Sequence, residues 1–183
     1  MKKFMSVVAL LLVAVMMFGC AAAPKATEPS TEATVPAPTA PAGTLEELHG
    51  KLYENLSAVE MMLMPMALDV TDTETVTYIT GISDTTLVKE ALMCEPMTGS
   101  QPYSLVLVRV NDESKAAEVA QTMFDNINTR KWICVEADTK VAAYCGDLVM
   151  FFMVGSQLNV HPVSEMVTAF TTLCGGSVAG VLD

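Results

Sequence analysis

Apolar residues recur at helical spacing in three stretches of the chain, and residues that cap helices bound each stretch. Thr44 and Glu47 form a capping box ahead of the first stretch, and Asn111-Asp112 precedes the second. His161-Pro162 opens the third stretch and Gly175-Gly176 closes it. We therefore predict amphipathic helices around the apolar stripes at residues 45–60, 116–127 and 163–173.

Apolar stretches separated by turn residues predict β-strands elsewhere in the chain. Residues 105–108 are apolar on both faces, which is typical of a central strand. Gly146-Asp147 predicts a two-residue hairpin turn that sets Cys145 opposite Leu148. The predicted strands are residues 87–95, 103–110, 132–136, 141–145 and 148–154.

The segment at residues 72–79 fits two structures. It suits a short helix capped by Thr71 and ended at Gly81, but its β-branched content suits a strand nearly as well. With either assignment, the order of elements predicts an α+β fold. We expect a single two-layer domain with a mainly antiparallel sheet of four to five strands, covered by helices.

The first 20 residues have the pattern of a bacterial export signal. Lys2 and Lys3 precede an apolar run from Phe4 to Phe18, which stops at Gly19-Cys20. This run is shorter than the ~18–20 residues with which a helix spans a bilayer. The junction resembles a lipobox, in which the cysteine receives a diacylglyceryl group and becomes the mature N-terminus.

Lipidation at Cys20 has two alternatives, cleavage within Ala21-Ala22-Ala23 and an unmodified cysteine. We predict lipidation, and two acyl chains are enough for stable anchoring in a membrane. The predicted signal peptide is then residues 1–19, and Cys20 opens an Ala/Pro/Thr-rich linker over residues 20–43. The single globular domain covers residues 44–183, on the outer face of the cytoplasmic membrane.

Acidic residues dominate the charge of the chain. Its formal net charge is −11, and removal of Lys2 and Lys3 with the leader lowers that charge to −13. Such a surface repels the phosphates of nucleic acids, and no basic run offsets the repulsion. We expect no nucleic-acid partner.

Four cysteines follow Cys20 in the sequence: Cys94, Cys134, Cys145 and Cys174. They allow two disulfides in three connectivities. Each cysteine adjoins apolar residues, so we expect most of them to be small buried hydrophobic side chains. Cys134 and Cys145 are diagonal neighbours in the predicted sheet, which is too far apart for a disulfide.

The sequence contains few candidates for catalytic residues or for ligands of a metal ion such as zinc. His49 and His161 are the only histidines, and no G-x-S-x-G motif is present. We expect His49 on the exposed side of a helix and His161 as a helix cap, with no catalytic residue and no cofactor. His161 and Glu165 are four residues apart, which suits a pair of metal ligands on one helix face, but further ligands are not evident.

Acidic residues near position 70 and a methionine run just before them are the remaining candidates. The acidic residues lack the spacing of a calcium loop, and we expect them to be solvated or to act as caps. The methionines are predicted to fill gaps in the core. Cu(I) binding is their alternative role, because thioethers are soft ligands. The acidic residues are Asp69, Asp72 and Glu74, and the methionines are Met61, Met62, Met64 and Met66.

The order of these segments resembles an uncharacterised family of bacterial lipoproteins, catalogued as a domain of unknown function. The likeness covers most of residues 44–155 and rests on turns and core positions, so it implies a fold and no activity. The segments that carry it are the lipobox, the linker, the Leu45–Leu56 helix, Gly81-Ile82-Ser83, Tyr103–Val110, the Ala116–Ile127 helix, Arg130–Val135 and Gly146–Val149.

An export signal joined to a domain without catalytic motifs favours a non-enzymatic cell-surface lipoprotein. We expect a binding or accessory module whose ligand is a protein, a peptide or a small molecule. One alternative is a copper or redox accessory protein that uses the methionines and cysteines. Another is a small enzyme of the cell envelope.

Overall fold

The computed structural model describes residues 38–183, so the predicted leader, Cys20 and most of the linker lie outside the described residues. The described part contains one six-stranded sheet, antiparallel throughout, with the strand order β1-β2-β3-β5-β4-β6. The strands are β1 Leu63–Ala67, β2 Val88–Pro96, β3 Tyr103–Val110, β4 Thr139–Cys145, β5 Leu148–Val154 and β6 Gly180–Leu182. The α-helices are α1 Leu45–Tyr53, α2 Thr73–Thr80, α3 Ala116–Asn126 and α4 Val163–Leu173.

Helices cover both faces of this sheet. α1 and α4 pack on one face, and α2 and α3 pack on the other. The α+β class is confirmed, but the domain has three layers instead of two, and six strands instead of four to five. The reason lies in β3 and β5, whose residues are all buried, so that both faces of the sheet centre need a cover.

Most predicted helices form, with different ends. The capping box at Thr44 is present, but α1 ends at Tyr53 because the following residues turn back to enter β1. The undecided segment is a helix, α2, capped by Asp72 instead of Thr71 and ended by Gly81 at φ 71°. The cap at Asp112 holds a short 3-10 turn, which leads into α3.

The strand predictions fail at three places. Residues 132–136 form a loop, in which Trp132 packs against the core while Ile133 is 84% exposed. The edge strands β1 and β6 were not predicted, since β1 contains Pro65 and β6 has only three residues. The hairpin at Gly146-Asp147 is confirmed, with Cys145 opposite Leu148.

A buried arginine fixes the segment before α1 to the end of the sheet. Arg109 in β3 forms a 2.5 Å ion pair with Asp147 and donates hydrogen bonds to the carbonyls of Pro41 and Gly43. Ala40 lies where a side chain at Gly146 would stand, so this turn needs a glycine. Residues 38–43, placed in the linker from sequence, therefore contact the folded unit.

One disulfide joins β4 to the end of α4. Cys145 and Cys174 are bonded, with their α-carbons 6.4 Å apart. Cys94 is a buried free thiol, as expected, and Cys134 is exposed at φ 67°. The expectation of buried cysteines is confirmed for Cys94, Cys145 and Cys174, two of which are also bonded to each other, and it is wrong for Cys134. No helix in residues 38–183 is long and apolar enough to cross a membrane.

Candidate methionine site

The methionine run forms the edge strand β1 and the residues just before it. Side chains alternate between the faces of a strand, so neighbouring residues in the run point in opposite directions. Met61 and Leu63 pack against the core under α1. Met62, Met64 and Met66 are on the other face and are 71%, 50% and 51% exposed. The prediction that the run fills the core is therefore correct for Met61 and wrong for these three.

One methionine of the neighbouring strand and one just past the end of that strand extend this surface. Met66 pairs directly with Met93, which is partly buried. Leu63 and Pro96 form the last pair of this ladder, and Met62 and Met97 are the residues next to that pair. Met97 is 65% exposed. We call this surface the methionine face: Met62, Met64, Met66, Met93 and Met97.

The sequence carried a signal for this surface. Methionines at positions 62, 64 and 66 follow the two-residue period of a strand, but the proline between them argues against one. Met93 in β2 and Met97 just after it follow the same two-residue spacing, on either side of Glu95. Only the pairing of β1 with β2 brings the two sets together.

Polar groups beside the methionine face are already paired. Met64 is opposite Glu95, whose carboxylate accepts a hydrogen bond from Ser104 at 2.7 Å and pairs with Lys131. Lys131 is almost fully buried, and its ammonium lies 5.4 Å from the ring centroid of Trp132. Glu95 is thus neutralised, and the thioethers are the available donors on this face.

Pro65 shapes the outer edge of β1. Leu68 donates a backbone hydrogen bond to Ala91, so residues 64 and 66 also turn their backbone groups toward β2. Residue 65 then turns outward, where proline has no N–H to offer. A further strand cannot pair regularly along this edge. A partner would therefore have to bind through the exposed side chains.

The loop before β1 is held by the start of α4. Nε2 of His161 lies 2.7 Å from the Ser57 carbonyl, and Glu165 accepts a 2.7 Å hydrogen bond from the Ser57 N–H. That hydrogen bond lowers the pKa of Glu165. His161 is buried and makes no side-chain cap, so its predicted capping role is wrong. Both side chains bind Ser57, which does not suit a metal-ligand pair.

A buried polar cluster connects this loop to the sheet. The hydroxyls of Tyr53 and Tyr103 are 2.7 Å apart, and Tyr103 lies 3.1 Å from Nδ1 of His161. Tyr53 also donates to the sulfur of Cys94 at 3.8 Å. Burial raises the pKa of both phenols, and raises that of Cys94 to about 11. A thiol that stays protonated is a poor nucleophile, so the cluster suits a structural role.

The other candidates make local contacts. His49 is half-buried against the ring of Tyr53, which corrects its predicted exposure. Asp69 binds the backbone and hydroxyl of Thr71, and Asp72 caps α2. Glu74 is exposed in the first turn of α2, where an acidic side chain suits the helix dipole. Across residues 38–183, no group of three or more His, Cys, Asp and Glu side chains could hold a metal ion.

A cavity of about 380 Å³ opens where the loop after β5 meets the loop before β4. Pro102, Gly155 and Leu158 form part of its wall. Asp138 in this wall is bound to Ser156, and the carboxylate of Glu136 pairs with Arg130 at 3.1 Å. Its acidic groups are therefore engaged, and the methionine face remains the stronger candidate.

No family model, curated protein or solved structure matches this chain. The resemblance to a lipoprotein family stays a prediction.

Proposed function

We propose that the protein is a non-enzymatic lipoprotein, anchored through Cys20 on the outer face of the cytoplasmic membrane, which binds a ligand through its methionine face. The leader and the cysteine at its end support the anchor. The disulfide between Cys145 and Cys174 supports export, because such bonds persist in oxidising compartments.

The observation that carries the binding role is the exposure of four methionines on one edge of the sheet. Met62, Met64, Met66 and Met97 each have at least half of their surface in solvent. Large apolar side chains gathered in this way mark an interaction site more often than an idle surface. Methionine is adaptable, so the face can adjust to what it binds.

A copper accessory role is the second candidate. Met62 and Met64 lie near Met97 on one face, which brings soft donors together. Met61 and Cys94 do not belong to this set, since both pack into the core on the opposite face. The role therefore rests on the methionines without the cysteines.

Mass spectrometry of the protein from its native host tests the anchor. We expect an N-terminal peptide that begins at Cys20 and carries the added mass of acyl chains. The variant C20A should keep the leader and gain no lipid, while C134S should be processed like the wild type. A wild-type protein that still begins at Met1 without acyl groups overturns the proposed placement.

A further inference from the structure

We propose that Met62, Met64 and Met97 form a binding site for one Cu(I) ion, with three thioether sulfurs as its ligands. The site deepens the second candidate function, but it rests on the geometry of the methionine face and not on the lipid anchor. The three side chains stand at one end of that face and are among the most exposed methionines of residues 38–183.

The spacing of these methionines suits a shared ion. The β1–β2 ladder ends with the pair of Leu63 and Pro96, and Met62 and Met97 are the residues next to that pair. Continuation of the ladder by one residue would set their β-carbons about 4.5–5.5 Å apart. Met64 stands two residues along the strand from Met62, roughly 6.6 Å away. It is a diagonal neighbour of Met97, at roughly 7–8 Å. Long flexible side chains bridge such separations, so the three sulfurs can converge on one ion.

Met66 does not belong to the same site. It lies four residues from Met62, which is roughly 13 Å along an extended strand. Its direct neighbour is Met93, whose side chain packs partly into the core below α2 and α3. Met66 is therefore a matched control, because it has the same chemistry and exposure on the same strand.

The donor set selects a soft monovalent ion. Thioethers favour Cu(I), whereas Zn²⁺ favours thiolate, imidazole and carboxylate ligands. The one carboxylate within the face, Glu95, is held by Lys131 and Ser104. The acidic charge of the chain draws cations toward its surface in general, and the sulfurs decide which cation stays.

Thioethers also predict how binding depends on pH. They do not titrate in the physiological range, so no proton competes with the ion. Affinity for Ag(I), an air-stable substitute for Cu(I), should be the same at pH 5 and pH 7. A site built from histidine or thiolate would lose affinity over that interval.

Cu(I) titration of the full-length protein tests the site, with a chromogenic Cu(I) chelator as competitor in oxygen-free buffer with detergent. The background variant is C134S, because the exposed thiol of Cys134 would otherwise bind the metal. We expect one equivalent of Cu(I) bound in this background. The triple variant M62L/M64L/M97L should bind none. M64L alone should lose affinity by at least roughly 10–100-fold, which is typical when a residue that supports the direct ligands of a metal is changed.

M66L and M61L are the controls and should bind like the background. Leucine keeps the face apolar, so these variants separate metal binding from the docking of an apolar partner. In a methionine methyl NMR spectrum of the background protein, Ag(I) should shift three resonances. This result does not depend on whether the triple variant folds. Absence of binding below millimolar Cu(I), or an equal loss in M66L, overturns the proposal.

The two proposals fail separately. An acylated Cys20 in a protein that binds no Cu(I) removes the metal site and keeps the anchor. A protein that binds Cu(I) but begins at Met1 without lipid removes the anchor and keeps the site.

Discussion

Removal of the disulfide between Cys145 and Cys174 should destabilise the protein substantially. The bond closes a loop with a sequence separation of 29 residues. In the chain-entropy description, a loop of this length contributes about 3.6 kcal/mol at 25 °C. That is a large part of the 5–15 kcal/mol by which most domains are stable. We therefore expect C145A/C174A to fold but to unfold much more readily.

Urea unfolding measures this loss directly. With a slope of about 2 kcal/mol per molar urea, a loss of 3.6 kcal/mol lowers the midpoint by roughly 1.8 M. The slope itself should rise, because the unfolded chain is no longer cross-linked and exposes more surface. Reduction of the wild-type protein should reproduce the effect of C145A/C174A.

The variant C134S is the matched control, since it removes an exposed sulfur that forms no bond. It should leave the midpoint unchanged. A loss below about 1 kcal/mol in C145A/C174A would show that the bridge contributes little to the fold. The disulfide would then not be needed to keep the domain folded.

Three further predictions concern the contacts around the sheet. Arg109→Met should cost about 2 kcal/mol in urea unfolding, because it leaves Asp147 unpaired and two carbonyls without a donor, whereas exposed Arg130→Met should cost far less. Tyr103→Phe should leave the Nδ1 atom of His161 without its hydroxyl partner and speed hydrogen exchange in residues 54–62, and unchanged exchange there would contradict the structural role of the cluster. The pKa of Glu165 is lowered in the folded state, so its contribution to stability is present above the unfolded pKa and is lost as pH falls through the folded pKa. Glu165→Gln should therefore flatten the acid side of a stability–pH curve, and a curve of unchanged shape would contradict this.

The sheet centre could be predicted from sequence because its signals are local. Residues 105–108 are apolar on both faces, and the turn at Gly146-Asp147 fixes the register of β4 and β5. The same apolar pattern implied cover on both faces, but the sequence does not say which helix packs on which side. The third layer was missed for that reason.

The candidate site could be predicted only in part. The methionine run was recognised as a soft-ligand candidate, but whether it is buried depends on the neighbours of β1. Met97 comes near the run only because β2 pairs with β1 across a connection of 20 residues. The disulfide partner of Cys145 was likewise open, because the packing of α4 on the sheet decides it.

Arg109 defines the end of the sheet to which the N-terminal segment of the domain is attached. β1 and β3 run in the same direction, so the strand end that holds Pro41 and Gly43 is remote from Met62. Glu90 pairs with Arg109, and Met97 is seven residues further along the same chain, about 23 Å away. The proposed lipid anchor precedes Pro41, so it would leave the three thioethers at the end of the sheet away from the membrane. An ion arriving from outside would reach them without entering the gap between the domain and the lipid headgroups.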